Sequence, residues 1–67
     1  MKMQSVTSSN IAEVGHEGTT LRIKFNIGSV YEYENVTAAT FQALLTAESV
    51  GKYFAANIKK LPFKKIS

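Results

Sequence analysis

Few side chains in this chain are of a type that could do chemistry. There is one histidine and no cysteine among 67 residues, which excludes a Cys/His nucleophile pair and any multi-His or thiolate metal site. His16 lies between glycines and beside Glu13 and Glu17, so a carboxylate-assisted base is conceivable. The blander reading, which we prefer, is a solvated turn residue. Glu32 and Glu34 share one strand face, as an acid/base pair would, but cross-strand pairing with Arg22 and Lys24 accounts for them without a reaction. Ser49-Val50-Gly51-Lys52 puts Gly-Lys at a helix start, as phosphate loops do. The full pattern needs a glycine where Thr46 stands and a Ser or Thr where Tyr53 stands, so that reading fails. What survives is a weak anion-binding helix N-terminus at Ser49 and Gly51. Tyr31 and Tyr33 alternate on a strand, where exposed rings would stack bases and buried ones would make core. We expect no catalytic residue, no metal and no cofactor, because so short a chain builds too small a core for a deep pocket.

Charge is the stronger signal. The net charge is +3, unevenly spread: residues 1–48 carry three cations against five carboxylates, and residues 49–67 carry Lys52, Lys59, Lys60, Lys64 and Lys65 with no acid. Such an end can hold phosphates, or it can be a solvated helix end and tail. The five lysines are the candidate nucleic-acid contacts.

The element that must position these groups is a hairpin over Leu21 to Val36. Leu21, Ile23 and Phe25 alternate with Arg22 and Lys24, and Tyr31 and Tyr33 alternate with Glu32 and Glu34. A two-residue turn would set Ile23 against Glu32 and mix the faces. A three-residue turn Asn26-Ile27-Gly28, with Gly28 left-handed, sets Ile23 against Tyr31, Leu21 against Tyr33 and Arg22 against Glu32. The rings then point toward the helices. Ile11 to Val14 reads as a short preceding strand ended by Gly15, and His16 to Thr19 as a turn. Thr37 caps a helix whose inward stripe is Phe41, Leu44, Leu45 and Ala47, with Val36 and Phe41 forming a staple. Ser49 caps a second helix, Val50 to about Lys59, in which Gly51 permits close packing on the first. Pro62 ends it, and the rest is a tail with Phe63 tucked against the domain. The expectation is one α+β domain over 1–67, with loose ends at 1–5 and 64–67. It is a three-stranded antiparallel β-meander followed by two α-helices packed on one face. No apolar run reaches the roughly 18 residues of a membrane span, and Met1-Lys2-Met3-Gln4 leads into polar residues, so a cytoplasmic protein is expected.

The order of the pieces is similar to one small family. Val6-Thr7-Ser8-Ser9-Asn10-Ile11, Val14-Gly15, Leu21-x-Ile23-x-Phe25, Gly28, Val30-Tyr31-x-Tyr33, Ala47-x-Ser49-x-Gly51-Lys52-Tyr53-Phe54 and Ile58-Lys59 resemble the KTSC domain. That module is named for the C-terminal extension of some lysyl-tRNA synthetases and also occurs alone in bacterial and phage proteins. The likeness runs from Val6 to Ile66 and departs at three positions. His16 stands for a usual tyrosine, Thr37 for a helix-opening proline, and Ala55 for an asparagine. The resemblance implies a small module of uncharacterised role for which RNA binding is suggested. Two functions stay open: a non-enzymatic module that binds nucleic acid weakly through the basic C-terminal end, or a protein-interaction or structural module, self-associating through a sheet edge.

Overall fold

A computed structural model describes residues 2–67 and shows five strands and two helices. The strands are β1 (Met3–Ser5), β2 (Ile11–Glu17), β3 (Thr20–Phe25), β4 (Val30–Tyr33) and β5 (Phe63–Lys65). Helices α1 (Ala38–Thr46) and α2 (Val50–Asn57) lie between β4 and β5 in the chain. The strands form one antiparallel sheet in the order β1-β2-β3-β4-β5.

The hairpin takes the expected register: Leu21 faces Tyr33, Arg22 faces Glu32 and Ile23 faces Tyr31. Gly28 supplies the left-handed residue of the turn at φ 98°, and the Phe25 amide donates to Ser29 O across it at 2.9 Å. Leu21 and Ile23 are fully buried, and Tyr33 nearly so. The charged face turns outward.

Two expectations about β2 need correction. Gly15 does not end the strand: it pairs with Met3 on one side and Arg22 on the other, and the turn is only Gly18-Thr19. Ile11 and Val14 are three apart, so regular alternation would put them on opposite faces. A bulge at Ala12 inserts one residue between the Ile11–Phe25 and Glu13–Lys24 pairs, and this brings both Ile11 and Val14 into the core.

The sheet has five strands, not three, because both ends expected to be loose are paired. Met3, Gln4 and Ser5 pair with Gly15, Val14 and Glu13. Phe63, Lys64 and Lys65 pair with Tyr33, Glu32 and Tyr31.

The helices start where their caps are. Thr37 Oγ1 accepts from the Thr40 amide at 3.2 Å, and Ser49 Oγ from the Lys52 amide at 3.3 Å. Asn35, at φ 63°, turns the chain out of β4. Val36 and Phe41 both enter the core, as the staple requires. Phe41 and Leu44 of α1, and Val50 and Phe54 of α2, are buried with Val14, Leu21 and Ile23 of the sheet. Both helices therefore cover the apolar side. The body measures 26 × 25 × 23 Å. Among the described residues, no helix is long and apolar enough to cross a membrane.

Candidate functional site

The helices do not cover the whole apolar side. On the β4–β5 flank the chain leaves a groove of about 410 Å³ lined by Phe25, Ile27, Ser29, Tyr31, Tyr33, Lys59 and Phe63. Strand alternation puts Phe25, Tyr31, Tyr33 and Phe63 on one face. The rings then pack against one another. Phe25 meets Tyr31 edge-on at 5.7 Å, and Phe63 lies tilted on Tyr31 at 5.8 Å and on Tyr33 at 5.4 Å. Phe54 of α2 closes the inner end, edge-on to Phe25 at 5.8 Å and to Tyr33 at 5.1 Å. The outer end is open: Phe63 is 58% exposed and Ile27, in the hairpin turn, 88%. The question of core or platform thus divides between neighbours. Tyr33 is core, and Tyr31 is half-buried with its ring in the groove. Burial, and then the adjacent Tyr31, hold the Tyr33 phenol above the ordinary tyrosine value, so it stays neutral.

The five candidate lysines do not form one patch. Lys59 stands on the groove rim. Lys65 pairs with Tyr31 and shares its face. Lys64, one residue earlier, points the other way, its ammonium 3.9 Å from Glu32 on the outer face. Lys60, in the turn after α2, and Lys52, on α2, are exposed outside the groove lining. The carboxylates of β2 and β4, and Glu34 just after β4, keep to the outer face. Glu32 accepts from Arg22 Nε at 2.9 Å and also from Nη2, Glu34 from Thr20 Oγ1 at 3.1 Å, and Glu13 pairs with Lys24. The groove lining includes no acid.

The helix start at Ser49 is committed internally, because its hydroxyl caps α2. A Cβ at Gly51 would make ordinary van der Waals contact with Ser8 Oγ at 3.4 Å and would meet no atom of α1, so close packing of the two helices is not what calls for this glycine. His16 is not a solvated turn residue. It lies in β2, stacks on Phe41 at 5.0 Å and donates from Nε2 to Val36 O at 2.6 Å. Only a protonated Nε2 can serve a carbonyl, which sets the tautomer. His16 and Phe41 border a second open groove of about 480 Å³ with Lys2 and Gln4. Both grooves reach pocket size, but as surface clefts between elements rather than holes in the core. Among the described residues, no cluster of three His, Cys, Asp or Glu side chains could hold a metal.

Sequence reasoning did not single out Phe25, Ile27 or Phe63 as site residues. Ile27 carried a usable signal: a large aliphatic residue between Asn26 and Gly28, where turn chemistry asks for a polar one.

Comparison with known proteins agrees with this architecture. The crystal structure of a KTSC domain protein from Yersinia pestis superposes with a TM-score of 0.91 at 33% identity, over 98% of this chain and 97% of that one. A protein of Stutzerimonas stutzeri (strain A1501), named only as uncharacterised, is 38% identical over 56 residues, covering 81% of this chain and 79% of the relative. The family pattern of the KTSC domain itself matches residues 7–63. This chain belongs to the KTSC domain family.

Proposed function

We propose that this domain is a small non-enzymatic module that binds nucleic acid, RNA above all, by holding phosphates with the lysines of its C-terminal end. One observation carries the reading. Pairing of β5 sets Lys65 on the face of the open aromatic groove, Lys59 stands on that groove's rim, and the carboxylates of β2 and β4 lie on the opposite face. Lysine meets phosphate as a point charge and carries little base specificity. The one imidazole is engaged by Val36 O and Phe41, and Glu32 by Arg22, which favours binding over catalysis. The rival reading, self-association through a sheet edge, meets two edge strands of three residues each, and β5 carries adjacent lysines. Short, lysine-bearing edges are how sheets avoid pairing with one another.

Titration of a mixed-sequence RNA at several salt concentrations tests this. Affinity is expected at roughly 10⁻⁴ to 10⁻⁶ M at physiological salt, falling with a log–log slope near −0.7 per neutralised phosphate. Lys59→Gln and Lys65→Gln should each weaken binding and flatten the slope. Lys64→Gln, whose charge faces Glu32, should change it least. Equal effects from all three would remove the assigned face, and absence of binding at low salt would end the nucleic-acid reading.

A further inference from the structure

We infer that the groove takes unpaired bases: the ligand is a single strand whose bases stack on Tyr31 and Phe63 while its backbone runs past Lys59 and Lys65. This rests on the nucleic-acid reading above and adds to it where the bases go. Three observations point there. The groove is walled by aromatic rings, of which Phe63 leaves more than half its surface to solvent. Large exposed apolar groups gathered in one place mark an interaction site. Ile27 is all but fully exposed at the groove's mouth, although it sits in a turn where it contributes nothing to the core. Finally, the polar side chains of the lining are a cation and hydroxyls, Lys59, Ser29, Tyr31 and Tyr33, and no carboxylate lines the groove. An apolar slot with a cationic margin matches a base joined to a phosphate. It matches an acidic or purely apolar partner less well.

Stacking separates this ligand from a duplex. Bases in an A-form helix are already stacked on each other and present no free ring face, whereas unpaired bases do. Ring-on-base contact tolerates any base, because each has a π-face, so a preference for one sequence is not expected.

The test compares three probes of equal length by fluorescence anisotropy: a mixed single strand, the matching duplex, and an abasic strand with the same phosphates but no bases. The intact protein is compared with Phe63→Leu, which keeps an apolar side chain but loses the ring, and with Ile27→Ser, at a position outside the core. The single strand should bind wild type about tenfold tighter than the abasic strand. Phe63→Leu should weaken single-strand binding about fivefold, the lower end of one lost stack, bringing it toward the abasic level, and leave abasic binding and the salt slope unchanged. Ile27→Ser should weaken the single strand by a smaller factor at an unchanged melting temperature. Because the chain has three tyrosines and no tryptophan, tyrosine emission is visible and should be quenched by the single strand and not by the abasic one. If the abasic strand or the duplex binds as well as the single strand, and Phe63→Leu does nothing, the stacking inference falls and the lysine–phosphate reading survives. If no probe binds, both fall. Saturable binding of a proline-rich peptide, sensitive to Phe63→Leu, without nucleic-acid binding would reassign the groove to a protein partner.

Discussion

Glu32 stands on the outer face of the sheet, yet only 11% of its side chain is exposed, because Arg22 on one neighbouring strand and Lys64 on the other reach over it. A carboxylate so enclosed needs its partners. Removing one leaves a poorly solvated charge, which costs far more than the pair itself contributes. The two partners are not equal. Arg22 donates twice with about a third of its side chain exposed, whereas the Lys64 ammonium is 3.9 Å away and mostly solvated. Reversing Glu32 (Glu32→Arg) sets three cations together and should cost about 3 kcal/mol, and Arg22→Glu about 1–3 kcal/mol. Reversing both should recover much of the loss but not all, because a cation then faces Lys64. Adding Lys64→Glu should return a further ~0.3–1 kcal/mol. Urea unfolding of the five proteins decides it, and strictly additive losses would rule out the triad. His16 makes the same point in a different chemistry. Its ring and the Thr19 carbonyl hold both backbone groups of Val36, the residue before the cap of α1, so a side chain expected in solvent fixes where a helix begins.

At the scale of elements, each helix is started by a hydroxyl satisfying an amide that the helix itself leaves free. With eight and nine residues, neither helix is long enough to persist in water alone, so cap and packing must act together. Thr37→Ala and Ser49→Ala are each expected to cost about 1 kcal/mol, lowering the melting temperature by about 4–8 °C. Replacement by Asp at either position should largely preserve stability, and a loss equal to that of Ala would deny the cap its role. These caps could be read from the sequence, as could the register of β3 and β4, because their signals are local: a hydroxyl before a 3.6-residue period, and a register that alone keeps charges off the apolar face. What could not be read is decided by partners far along the chain. Phe63-Lys64-Lys65 has no alternation of burial and little strand propensity, and it becomes β5 because β4, some thirty residues earlier, offers free backbone groups and two rings. Met3–Ser5 joins β2 for the same reason. The lysines of the candidate site were visible as charge. The groove they border was not, since its rings come from β3, β4 and β5 and meet only when the sheet closes.

For the whole molecule, β5 is the last piece and the test of how tightly the chain closes on itself. A domain of 67 residues has a total stability of only about 3–10 kcal/mol, so a peripheral strand weighs heavily. The β5 segment is held by backbone bonds at both ends, Glu34 N to Pro62 O at 2.9 Å and Ile66 N to Val30 O at 2.7 Å. Val30 also donates to Ser67 O at 2.9 Å. Between them lie the Phe63 ring contacts and the Lys64–Glu32 approach. The buried core, however, is built from β2, β3, β4 and the helices, and no residue of β5 belongs to it. Deleting residues 63–67 should therefore leave a folded domain of reduced stability. The expected loss is about 1–3 kcal/mol, a fall in melting temperature of roughly 5–20 °C, with the far-ultraviolet dichroism of sheet and helices largely retained. Amide exchange should follow the same order, with Leu21 and Ile23 in the central strand slowest and the β4 amides facing β5 quickened by the deletion. A truncated chain that melts within about 2 °C of the full one would mean that β5 does not dock in solution. One that fails to fold would place β5 inside the cooperative core instead of at its margin. The intermediate result is the one this architecture requires: the aromatic groove loses its Phe63 wall while the scaffold that carries Tyr31 and Tyr33 stands.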